Sequence, residues 1–346
     1  MEKNLLINGK LVYPNKLKIN KKFNIGLVGS GQMAIEYIKV LESFNHKLVV
    51  IVSASKSLSA RRIAKKKKIN LYKSINLANA ANKKIDAWII CPQWQKLKEN
   101  LEAVLEIDKP ALIEKSIAIN SSELKKIIKK KGNKKVSNIF IGYNRNYYDY
   151  LFYLIKEINN NKLLYINIGL FDQFKKIIKK FDGKIKNYLT YYSTSHWISL
   201  IFKIIELSNL KLLKINKKIL NLESNSKKIK LELVLKKGNR KIILDLLHAP
   251  DLPKNHEMLF YFDNKIIQIS PIEMLKISEK IDHKKNKKIN SYKVLSKSIE
   301  VNKKFKPGLR FEYFDFINNI LKGRKSVLKT DLNSLVKIYK VCELLN

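Results

Sequence analysis

The sequence contains few cysteines and no long apolar run, and each shortage excludes a class of protein. Cys91 and Cys342 are its only cysteines, which is too few for a disulfide framework, and their spacing is not that of a metal site. No stretch of about 18 apolar residues occurs, and the first residues lack the apolar core of a signal peptide. We therefore expect a cytoplasmic protein with no resident metal and no membrane partner.

Acidic residues are also scarce. Lys and Arg number 70 against 29 Asp and Glu, giving a net charge of +41, and such an excess is typical of nucleic-acid-binding proteins. Arginine, which those proteins favour for its bidentate fork, is nevertheless rare here, and lysine is spread along the whole chain beside abundant Asn and Ile. We attribute the charge to A/T-rich codons and expect no nucleic-acid partner, although a positive field could still steer an anionic cofactor or substrate.

The most informative motif is a glycine turn between an apolar strand and a helical pattern. The strand beginning at Phe23 runs into Gly29-x-Gly31-x-x-Ala34. Gly29 permits the tight turn, Gly31 lets a pyrophosphate approach the backbone, and Ala34 allows close helix–strand packing. The helix start adds free N–H groups and a positive dipole end. This context predicts a dinucleotide site, with a plain tight turn as the alternative, and its expected cofactor contacts are Gly29, Ser30, Gly31, Gln32 and Met33.

The hydrophobic pattern divides the chain into two parts with different predicted secondary structure. From Phe23 to about Ile141, apolar strands alternate with amphipathic helices, which predicts a parallel sheet covered on both faces. After Tyr150, alternating strands with hairpin turns predict an antiparallel sheet, followed by two helices. We therefore predict an α/β protein with an N-terminal extension at 1–22 that contains a hairpin, a Rossmann domain at 23–142, and a substrate and oligomerisation domain with a large, mostly antiparallel sheet at 143–346.

The end of the second strand bears on which dinucleotide is bound. An acidic residue normally stands there and binds the adenosine ribose hydroxyls. This chain has hydroxyls and cations instead, with no carboxylate: Ser53, Ser55, Lys56 and Ser57, followed by Arg61 and Arg62. Such groups suit a 2′-phosphate better than a bare ribose. The pattern favours NADP(H) over NAD(H), and an ordinary polar turn before a basic helix is the alternative.

Two further residues are candidates for acid–base chemistry. Lys115 follows the short apolar strand Ala111–Ile113, and partial burial there would lower its pKa into a usable range. His196 follows a run of hydroxyl residues and falls in the first turn of an apolar helix, whose N-terminus also lowers a histidine pKa. A snorkelling surface lysine and a structural histidine are the alternatives. Of the other histidines, His248 and His256 flank a proline-containing loop, and His46 and His283 look exposed.

The order of these signals resembles the Gfo/Idh/MocA oxidoreductase family, especially members that modify sugars for surface polysaccharides. The resemblance extends from Phe23 to the C-terminus and rests on the glycine turn, Cys91-Pro92, Glu114-Lys115, Asn144-Arg145, His196 and Pro307-Gly308-Leu309-Arg310. It implies a Rossmann domain followed by a mostly antiparallel α/β domain. It also implies hydride transfer between NAD(P) and a hydroxyl-bearing carbon, usually on a sugar, in a homo-oligomer.

The resemblance also assigns roles to individual residues. Glu114-Lys115 matches the family's Glu-Lys-Pro motif, which implies that Lys115 lies beside the nicotinamide and the reacting hydroxyl. His196 matches the histidine proposed as the acid or base. Cys91 and Pro92 fit the loop that touches the cofactor. Asn144 and Arg145 match the motif that opens the second domain, where we expect contact with the substrate.

The chain departs from the family pattern at four positions. Ser116 replaces the motif proline, Tyr192 and Ser199 replace aspartates on the helix of His196, and Lys96 replaces a histidine. The Tyr192 phenol is therefore a candidate to relay or donate the proton. Two hypotheses follow: an NAD(P)-dependent sugar or nucleotide-sugar oxidoreductase, or a cofactor-binding relative without turnover that acts as a regulator or assembly partner.

Overall fold

A computed structural model gives the fold and describes residues 6–7, 10–11, 19–82, 84–117, 120–220, 228–281, 291–300, 304–322 and 326–346. Its strands are β1 (Leu6–Ile7), β2 (Lys10–Leu11), β3 (Asn24–Val28), β4 (Lys47–Val52), β5 (Asn70–Tyr72), β6 (Ala87–Ile90), β7 (Ala111–Glu114), β8 (Ile139–Gly142), β9 (Leu163–Leu170), β10 (Lys211–Leu220), β11 (Lys228–Lys237), β12 (Arg240–His248), β13 (Glu257–Phe262), β14 (Lys265–Ile269), β15 (Met274–Ile281) and β16 (Ser291–Glu300). Its helices are α1 (Gln32–Glu42), α2 (Leu58–Lys67), α3 (Ile75–Ala81), α4 (Leu97–Glu106), α5 (Ser121–Lys131), α6 (Asn133–Val136), α7 (Tyr150–Asn160), α8 (Phe174–Lys180), α9 (Ser195–Leu207), α10 (Leu309–Lys322) and α11 (Leu332–Leu344).

The chain forms two compact units, and the first is built on a parallel sheet. This unit comprises Met1–Tyr147 and Lys303–Glu343. Its six strands run in the order β5-β4-β3-β6-β7-β8, and all neighbours are parallel. The order reverses between β3 and β6, which is where ligands bind in open α/β sheets. The predicted Rossmann architecture is confirmed.

The strands of this sheet are apolar throughout because both faces are covered. Ile25 and Leu27 of β3 are fully buried, as are all four residues of β6. Gly26 leaves room for the Trp88 ring, since a Cβ at Gly26 would lie 2.6 Å from that ring. The sheet core is therefore fitted around one indole in its central pair of strands.

The helix α5, which follows β7, begins with a capping box. Asn120 is the N-cap, and its side chain accepts a hydrogen bond of 2.8 Å from the Glu123 backbone N–H. The Glu123 carboxylate in turn accepts from the Asn120 N–H at 3.4 Å, which completes a capping box. The side chain of Ser121 is used elsewhere and donates to the Glu343 carboxylate at 2.9 Å.

The last part of the chain returns to the first unit, in contrast to the predicted continuous segment 143–346. The Ile141 N–H donates to the Thr330 carbonyl at 2.8 Å, and the Tyr339 hydroxyl donates to the Ile117 carbonyl at 3.1 Å. α10 and most of α11 thus belong with the parallel sheet. Local periodicity predicted both helices but carried no information about which sheet they pack on.

His46 shows the same effect and corrects the expectation that it is exposed. Its side chain is buried beside the rings of Phe23 and Phe44, and its Nδ1 is hydrogen-bonded to the Tyr313 hydroxyl of α10. The position looked exposed because it follows the end of α1 beside a lysine. The covering residue comes from the returning segment, 267 positions further along.

The second unit, Tyr148–Asn302 with Leu344–Asn346, is built on an eight-stranded sheet. The strand order is β10-β11-β12-β9-β13-β14-β15-β16, and only the β12–β9 pair is parallel. The predicted hairpins are present, and Gly238 has a φ of +57° in the turn where Lys237 pairs with Arg240. The prediction of a large, mostly antiparallel sheet is confirmed.

The residues of this sheet alternate in burial. Ile229, Leu231, Leu233 and Leu235 of β11 are buried, while the residues between them are partly exposed or exposed. β12 and β13 repeat the pattern, as a period of two requires when only one face meets the core. The second face keeps partial access to solvent. Its apolar members include Val234, Ile243, Leu247, Leu259 and Tyr261.

Three smaller predictions concern the termini and loops. The N-terminal hairpin is present as the antiparallel pair β1–β2. The lysine-rich stretch 284–288 and His283 lie outside the described residues. Among the residues that are described, no helix combines the length and apolar character needed to cross a bilayer.

His46 generates a prediction about stability. Burial lowers the pKa of His46 to about 4, although hydrogen bonding to the Lys21 backbone acts in the opposite direction. The unfolded ring titrates near pH 6.5, so between about pH 6.5 and 4 the unfolded chain binds more protons than the folded chain. The free energy of unfolding therefore decreases as the pH is lowered through this range. We expect the loss from this group to be on the order of 2–3 kcal/mol. His46→Gln should lack it.

Urea unfolding of the wild type and His46→Gln between about pH 7 and pH 4.5 tests this difference. The buried acids of this unit titrate in both proteins, so their contributions cancel when the two curves are subtracted. Parallel decline of both proteins with falling pH would contradict the assignment.

Candidate active site

The glycine turn joins β3 to α1 and has the backbone geometry that a tight turn requires. Gly29 has a φ of +103°, and a Cβ there would lie 2.7 Å from the Cys91 carbonyl carbon. No other residue fits this position without moving the loop after β6. The Gly29 N–H donates to the Val52 carbonyl at 2.9 Å, which ties the turn to β4 as well. The predicted role of Gly29 is thus a structural requirement of the turn.

Gly31 has a different reason to be glycine. It is the N-cap of α1 in an extended conformation, and a Cβ there would meet nothing within 4 Å. The helix start has no side-chain cap and no acidic residue in its first turn. Its N–H groups and positive dipole end therefore face open space without a competing anion. A diphosphate fits such a cradle, whereas a side chain at Gly31 would fill it.

The residues beside the cradle are polar or flexible. Gln32 is exposed, and its side-chain amide donates to Glu36 at 3.1 Å. Met33 lies in the first turn of α1, with its Sδ 2.8 Å from the Lys306 ammonium. Lys306 comes from the returning C-terminal segment and places a positive charge near the helix start. No sequence signal distinguishes this lysine from the many others.

Three hydroxyls meet beside the turn and involve both predicted cofactor segments. The Ser30 Oγ lies 3.0 Å from the Ser57 Oγ and 2.8 Å from that of Ser59, and the last two are 3.1 Å apart. Ser57 also caps α2 by accepting from the Ala60 N–H at 3.2 Å. Ser59 was missed because it reads as part of the basic helix. The structure therefore joins the glycine turn and the end of β4 into one polar surface.

The other residues after β4 surround this cluster. The Arg61 Nε donates to the Ser55 carbonyl at 3.0 Å, and both Arg61 and Lys56 are exposed. The Ser53 N–H donates to the Tyr72 carbonyl at 3.0 Å, which places Ser53 at the last sheet position. Neither carboxylate nor other anion stands in this segment. Hydroxyl, guanidinium and ammonium groups are the donors that bind phosphate.

The loops after β6 and β7 approach the glycine turn from the neighbouring strands. Cys91 is buried and donates its N–H to the Val28 carbonyl at 2.9 Å, and Pro92 follows it. Gly142 lies at the end of β8, where a Cβ would be 3.3 Å from the Glu114 Cα. Cys91, Pro92 and Glu114 thus end adjacent parallel strands at the same edge of the sheet as the turn.

Glu114 belongs to a buried acidic cluster that the sequence did not reveal. The Tyr37 hydroxyl lies 2.9 Å from the Glu114 Oε1 and 3.4 Å from the Glu312 Oε2. Tyr37 is on α1 and Glu312 is on α10, and both are buried. The two carboxyls are thus bridged by one phenol.

Burial dominates the electrostatics of this cluster. It raises the pKa of Glu114, against the opposing charge of Lys306, the Tyr37 hydrogen bond and Lys115. Burial, reinforced by the charge of Glu114, raises the pKa of Glu312 well above its usual range. Burial and Glu114 likewise raise the pKa of the Cys91 thiol. Burial thus favours the protonated form of Glu312, and Cys91 is a neutral thiol rather than a nucleophile.

Lys115 follows Glu114 directly at the carboxyl end of β7. It is partly exposed, whereas the next two residues, Ser116 and Ile117, are buried. The Lys115–Ser116 peptide bond is cis. Lys115 interacts electrostatically with the Glu114 carboxyl, which supplies a local counter-charge. Lys115 therefore lies at the end of its strand, as predicted, and at the same edge of the parallel sheet as the glycine turn.

Asn144 and Arg145 lie in a 3₁₀ turn after β8, at the end of the first unit's sheet. The Asn144 amide donates to the Pro307 carbonyl at 2.8 Å and is buried. This side chain therefore holds the returning C-terminal segment. Arg145 is partly exposed.

His196 belongs to the second unit and lies in the first turn of α9, as predicted. The hydroxyl residues before it are not a loop, however, but a π-helical turn at Thr190–Thr194. The Ser195 N–H donates to the Thr190 carbonyl, so the helix continues backwards from α9. The expected free helix N-terminus beside His196 is therefore wrong. π turns of this kind often occur at functional sites.

Tyr192 lies within the π turn. Its ring packs edge-on against Phe181, with centroids 5.3 Å apart, and it is partly exposed. Ser199, at the second position where the resemblance leads one to expect an aspartate, is buried on α9. No acidic side chain of α9 itself is thus available near His196, because the only carboxylate on this helix is Glu206 in its last turn.

A carboxylate nevertheless reaches the π turn from the sheet. Asp172, two residues after β9, is 1% exposed and accepts hydrogen bonds from the Ser193 hydroxyl and, at 2.8 Å, from the Thr194 hydroxyl. The Nε2 atoms of His248 and His256 lie 3.5 Å and 3.9 Å from its oxygens. The sequence marked both histidines but not their common partner.

Asp172 is held in its charged form. Burial alone would raise its pKa, but the hydrogen bonds and charges of His248, His256 and Ser193 outweigh it, so the pKa lies below the usual range. Among the residues that the structure describes, no three His, Cys, Asp or Glu side chains are arranged to hold a metal ion. The cluster is therefore a hydrogen-bonded ionic network.

Comparison with known proteins gives three kinds of result. A family model described as an oxidoreductase family with an NAD-binding Rossmann fold matches residues 23–143. No curated protein sequence matches the chain. Many solved structures do, over nearly the full length.

Three of these structures illustrate the likeness. A UDP-N-acetylglucosamine 3-dehydrogenase from Acidithiobacillus ferrooxidans is similar over 93% of this chain and 96% of its own, with a TM-score of 0.67 and 13% identity. A myo-inositol 2-dehydrogenase from Lactobacillus plantarum is similar over 93% of this chain and 96% of its own, with a TM-score of 0.66 and 15% identity. An oxidoreductase from Thermotoga maritima is similar over 94% of this chain and 95% of its own, with a TM-score of 0.69 and 15% identity. At such low identity these structures establish the shared fold.

Proposed function

We propose that this chain, whose residues 23–143 match the model of an oxidoreductase family with an NAD-binding Rossmann fold, belongs to the Gfo/Idh/MocA family and is an NAD(P)-dependent oxidoreductase of sugars or nucleotide sugars. The observation that carries the proposal is the empty space over Gly31 at an uncapped helix start, with Lys115 at the end of a nearby strand. The sugar and cyclitol dehydrogenases of the same fold support the substrate class. We place the reaction in the cytoplasm, where nicotinamide dinucleotides are available.

The residues of the first unit fit a nicotinamide dinucleotide. The first turn of α1, with Gly31, Gln32 and Met33, would hold the diphosphate. Cys91, Pro92 and Glu114 would line the nicotinamide end, because their strands finish beside the turn. When bound, the dinucleotide supplies or accepts the hydride.

The hydroxyl cluster supports a preference for NADP(H) over NAD(H). Ser30, Ser57 and Ser59 present three adjoining hydroxyls, with Arg61 and Lys56 exposed nearby. A 2′-phosphate gains charge-assisted hydrogen bonds from such groups. A bare ribose would instead be served by the carboxylate that this segment lacks.

The protein must also move the proton of the reacting hydroxyl. We assign its acceptance, in the oxidation direction, to His196, because a neutral imidazole exchanges protons near pH 7. Lys115 donates a hydrogen bond to the substrate oxygen and polarises it. Tyr192, four positions before His196, is assigned as a relay for the same proton. Asn144 and Arg145 are assigned to the substrate side, with Asn144 acting through its hold on the returning segment.

The half-exposed face of the eight-stranded sheet supports self-association, and we propose a homo-oligomer built on it. Its apolar members include Ile243 and Leu247 on β12 and Leu259 on β13, two strands separated by β9. Apolar side chains that stay partly open to solvent in this way often mark an association site. Light scattering at micromolar protein should give at least twice the monomer mass, and Leu247→Lys should halve it. Leu77→Lys on exposed α3 is the matched control, and a monomeric wild type would refute the proposal.

The cofactor assignment predicts which dinucleotide binds more tightly and which substitution abolishes binding. Calorimetric titration should show NADPH binding more tightly than NADH. Gly31→Val should abolish binding of both while leaving the melting temperature near wild type, because a Cβ at this position meets nothing within 4 Å. Gly29→Val, in contrast, should unfold the unit, since its φ is +103°. Equal or tighter NADH binding would refute the NADP(H) preference, and undiminished binding by Gly31→Val would refute the cradle.

The catalytic assignment predicts separate effects on turnover and binding. General acid–base help is worth about 10²–10⁴ in rate, so Lys115→Met and His196→Asn should each lower kcat by about that factor with NADPH affinity near wild type. Tyr192→Phe should lower kcat less. Lys98→Met, on the surface of α4, is the control for loss of a lysine charge. Nearly full turnover by Lys115→Met would refute the mechanism.

The same assay separates the two hypotheses of function. Turnover of a sugar or nucleotide sugar by the wild type establishes the enzyme. Dinucleotide binding without turnover of any member of a sugar and nucleotide-sugar panel would instead favour the regulator or assembly partner.

A further inference from the structure

The second unit contains a buried carboxylate that touches the segment of His196 but has no assigned task. The helix of His196 lacks acids at 192 and 199, the two positions where a carboxylate would be expected. Asp172 arrives from the sheet instead and accepts hydrogen bonds from Ser193 and Thr194. These two residues stand only three and two positions before His196.

The hydroxyls of the π turn show that this contact sets the local conformation. Serine and threonine within helices usually donate back to a carbonyl one turn earlier, and Ser195 does so toward the Tyr191 carbonyl. Ser193 and Thr194 do not; both donate outward to Asp172. Their χ1 angles, and with them the π turn that leads into α9, are therefore fixed by a group outside the helix.

The other side of His196 is tied to the same place. The Trp197 ring stacks on the His256 ring with centroids 4.3 Å apart. His256 is fixed in turn, because its Nδ1 accepts the Phe171 N–H at 3.0 Å. Phe171 is the residue immediately before Asp172. The neighbours of His196 on both sides are thus anchored on the two residues that follow β9.

Two histidine rings face the carboxylate of Asp172. Since the His256 Nδ1 accepts a hydrogen bond, the ring N–H lies at Nε2, which faces the Asp172 carboxylate. His248 faces the second oxygen from β12. Asp172 also holds its own loop, as its carbonyl accepts the N–H groups of Asp251 at 2.8 Å and Phe174 at 3.0 Å.

We propose that Asp172 is a positioning residue for His196: the buried carboxylate fixes the π turn and the first turn of α9, and so supplies from the sheet the orientation that the helix lacks a carboxylate to provide. The proposal rests on the catalytic role proposed for His196. It extends that role by naming the element that holds the imidazole in place.

The primary test compares Asp172→Asn with Asp245→Asn. Asp245 is a matched carboxylate of the same sheet, which accepts from the Tyr165 hydroxyl at 2.7 Å and pairs with Lys230 at 2.8 Å. A misplaced catalytic group costs about 10²-fold in rate, so Asp172→Asn should lower kcat by that factor with an unchanged KM for NADPH. Asp245→Asn should leave kcat near wild type. In a His196→Asn background, Asp172→Asn should produce little further loss.

A second pair of variants guards against simple unfolding. Thr194→Val removes the hydroxyl at nearly constant shape and should reproduce part of the Asp172→Asn loss. Thr194→Ser keeps the hydroxyl and should restore most of the activity. Melting temperatures of all variants show whether the second unit remains folded.

A readout independent of turnover separates this proposal from the proposed function. The chain has five histidines, so ¹⁵N NMR of histidine-labelled protein resolves them, and His196→Asn assigns its own signal by loss. Asp172→Asn and Thr194→Val should shift the His196 ring resonances, whereas Asp245→Asn should not. An unmoved His196 signal in folded Asp172→Asn, or full additivity with His196→Asn, would overturn the positioning role. Shifted signals in a protein without turnover would support it and refute only the proposed reaction.

Discussion

The architecture of the first unit depends on the close approach of two backbones at Gly29. The turn after β3 passes so near the Cys91 carbonyl that a Cβ cannot be inserted between them. This approach places the start of α1 against the end of β6 and holds the turn to β4 through the Val52 carbonyl. The cradle at Gly31, the hydroxyl cluster and the end of β7 are all positioned relative to that contact.

Behind the cradle, the protein buries two carboxyls beside a single phenol. Such burial is tolerable because a protonated carboxyl carries no charge and can share its proton with a neighbour. Burial and the charge of Glu114 both favour the neutral form of Glu312. The ammonium groups of Lys306 and Lys115 act in the opposite direction on Glu114 and lower its pKa against the effect of burial.

The second unit uses the end of a strand in a comparable way. β9 delivers Asp172 to a helical segment whose own residues are hydroxyls and aromatics, and the histidines of β12 and of the following loop complete the network. Polar groups at strand ends thus set the conformation of the segment that carries His196. A helix with no carboxylate in its first turn can in this way still be held at its start by a group from outside the helix.

Local patterns in the sequence determined the strand–turn–helix at Gly29, the alternation that gives a parallel sheet and then hairpins, and the strand-end position of Lys115. These features follow from backbone sterics and side-chain periods that act over a few residues. Only the tertiary structure decided that Glu312 lies beside Glu114, that His46 is buried under Tyr313, and that Asp172 meets the π turn. The contacts that join them are 22 residues apart for Asp172 and Thr194, 267 for His46 and Tyr313, and 275 for Glu312 and the bridging Tyr37. No local pattern encodes which distant segment returns to cover a given face.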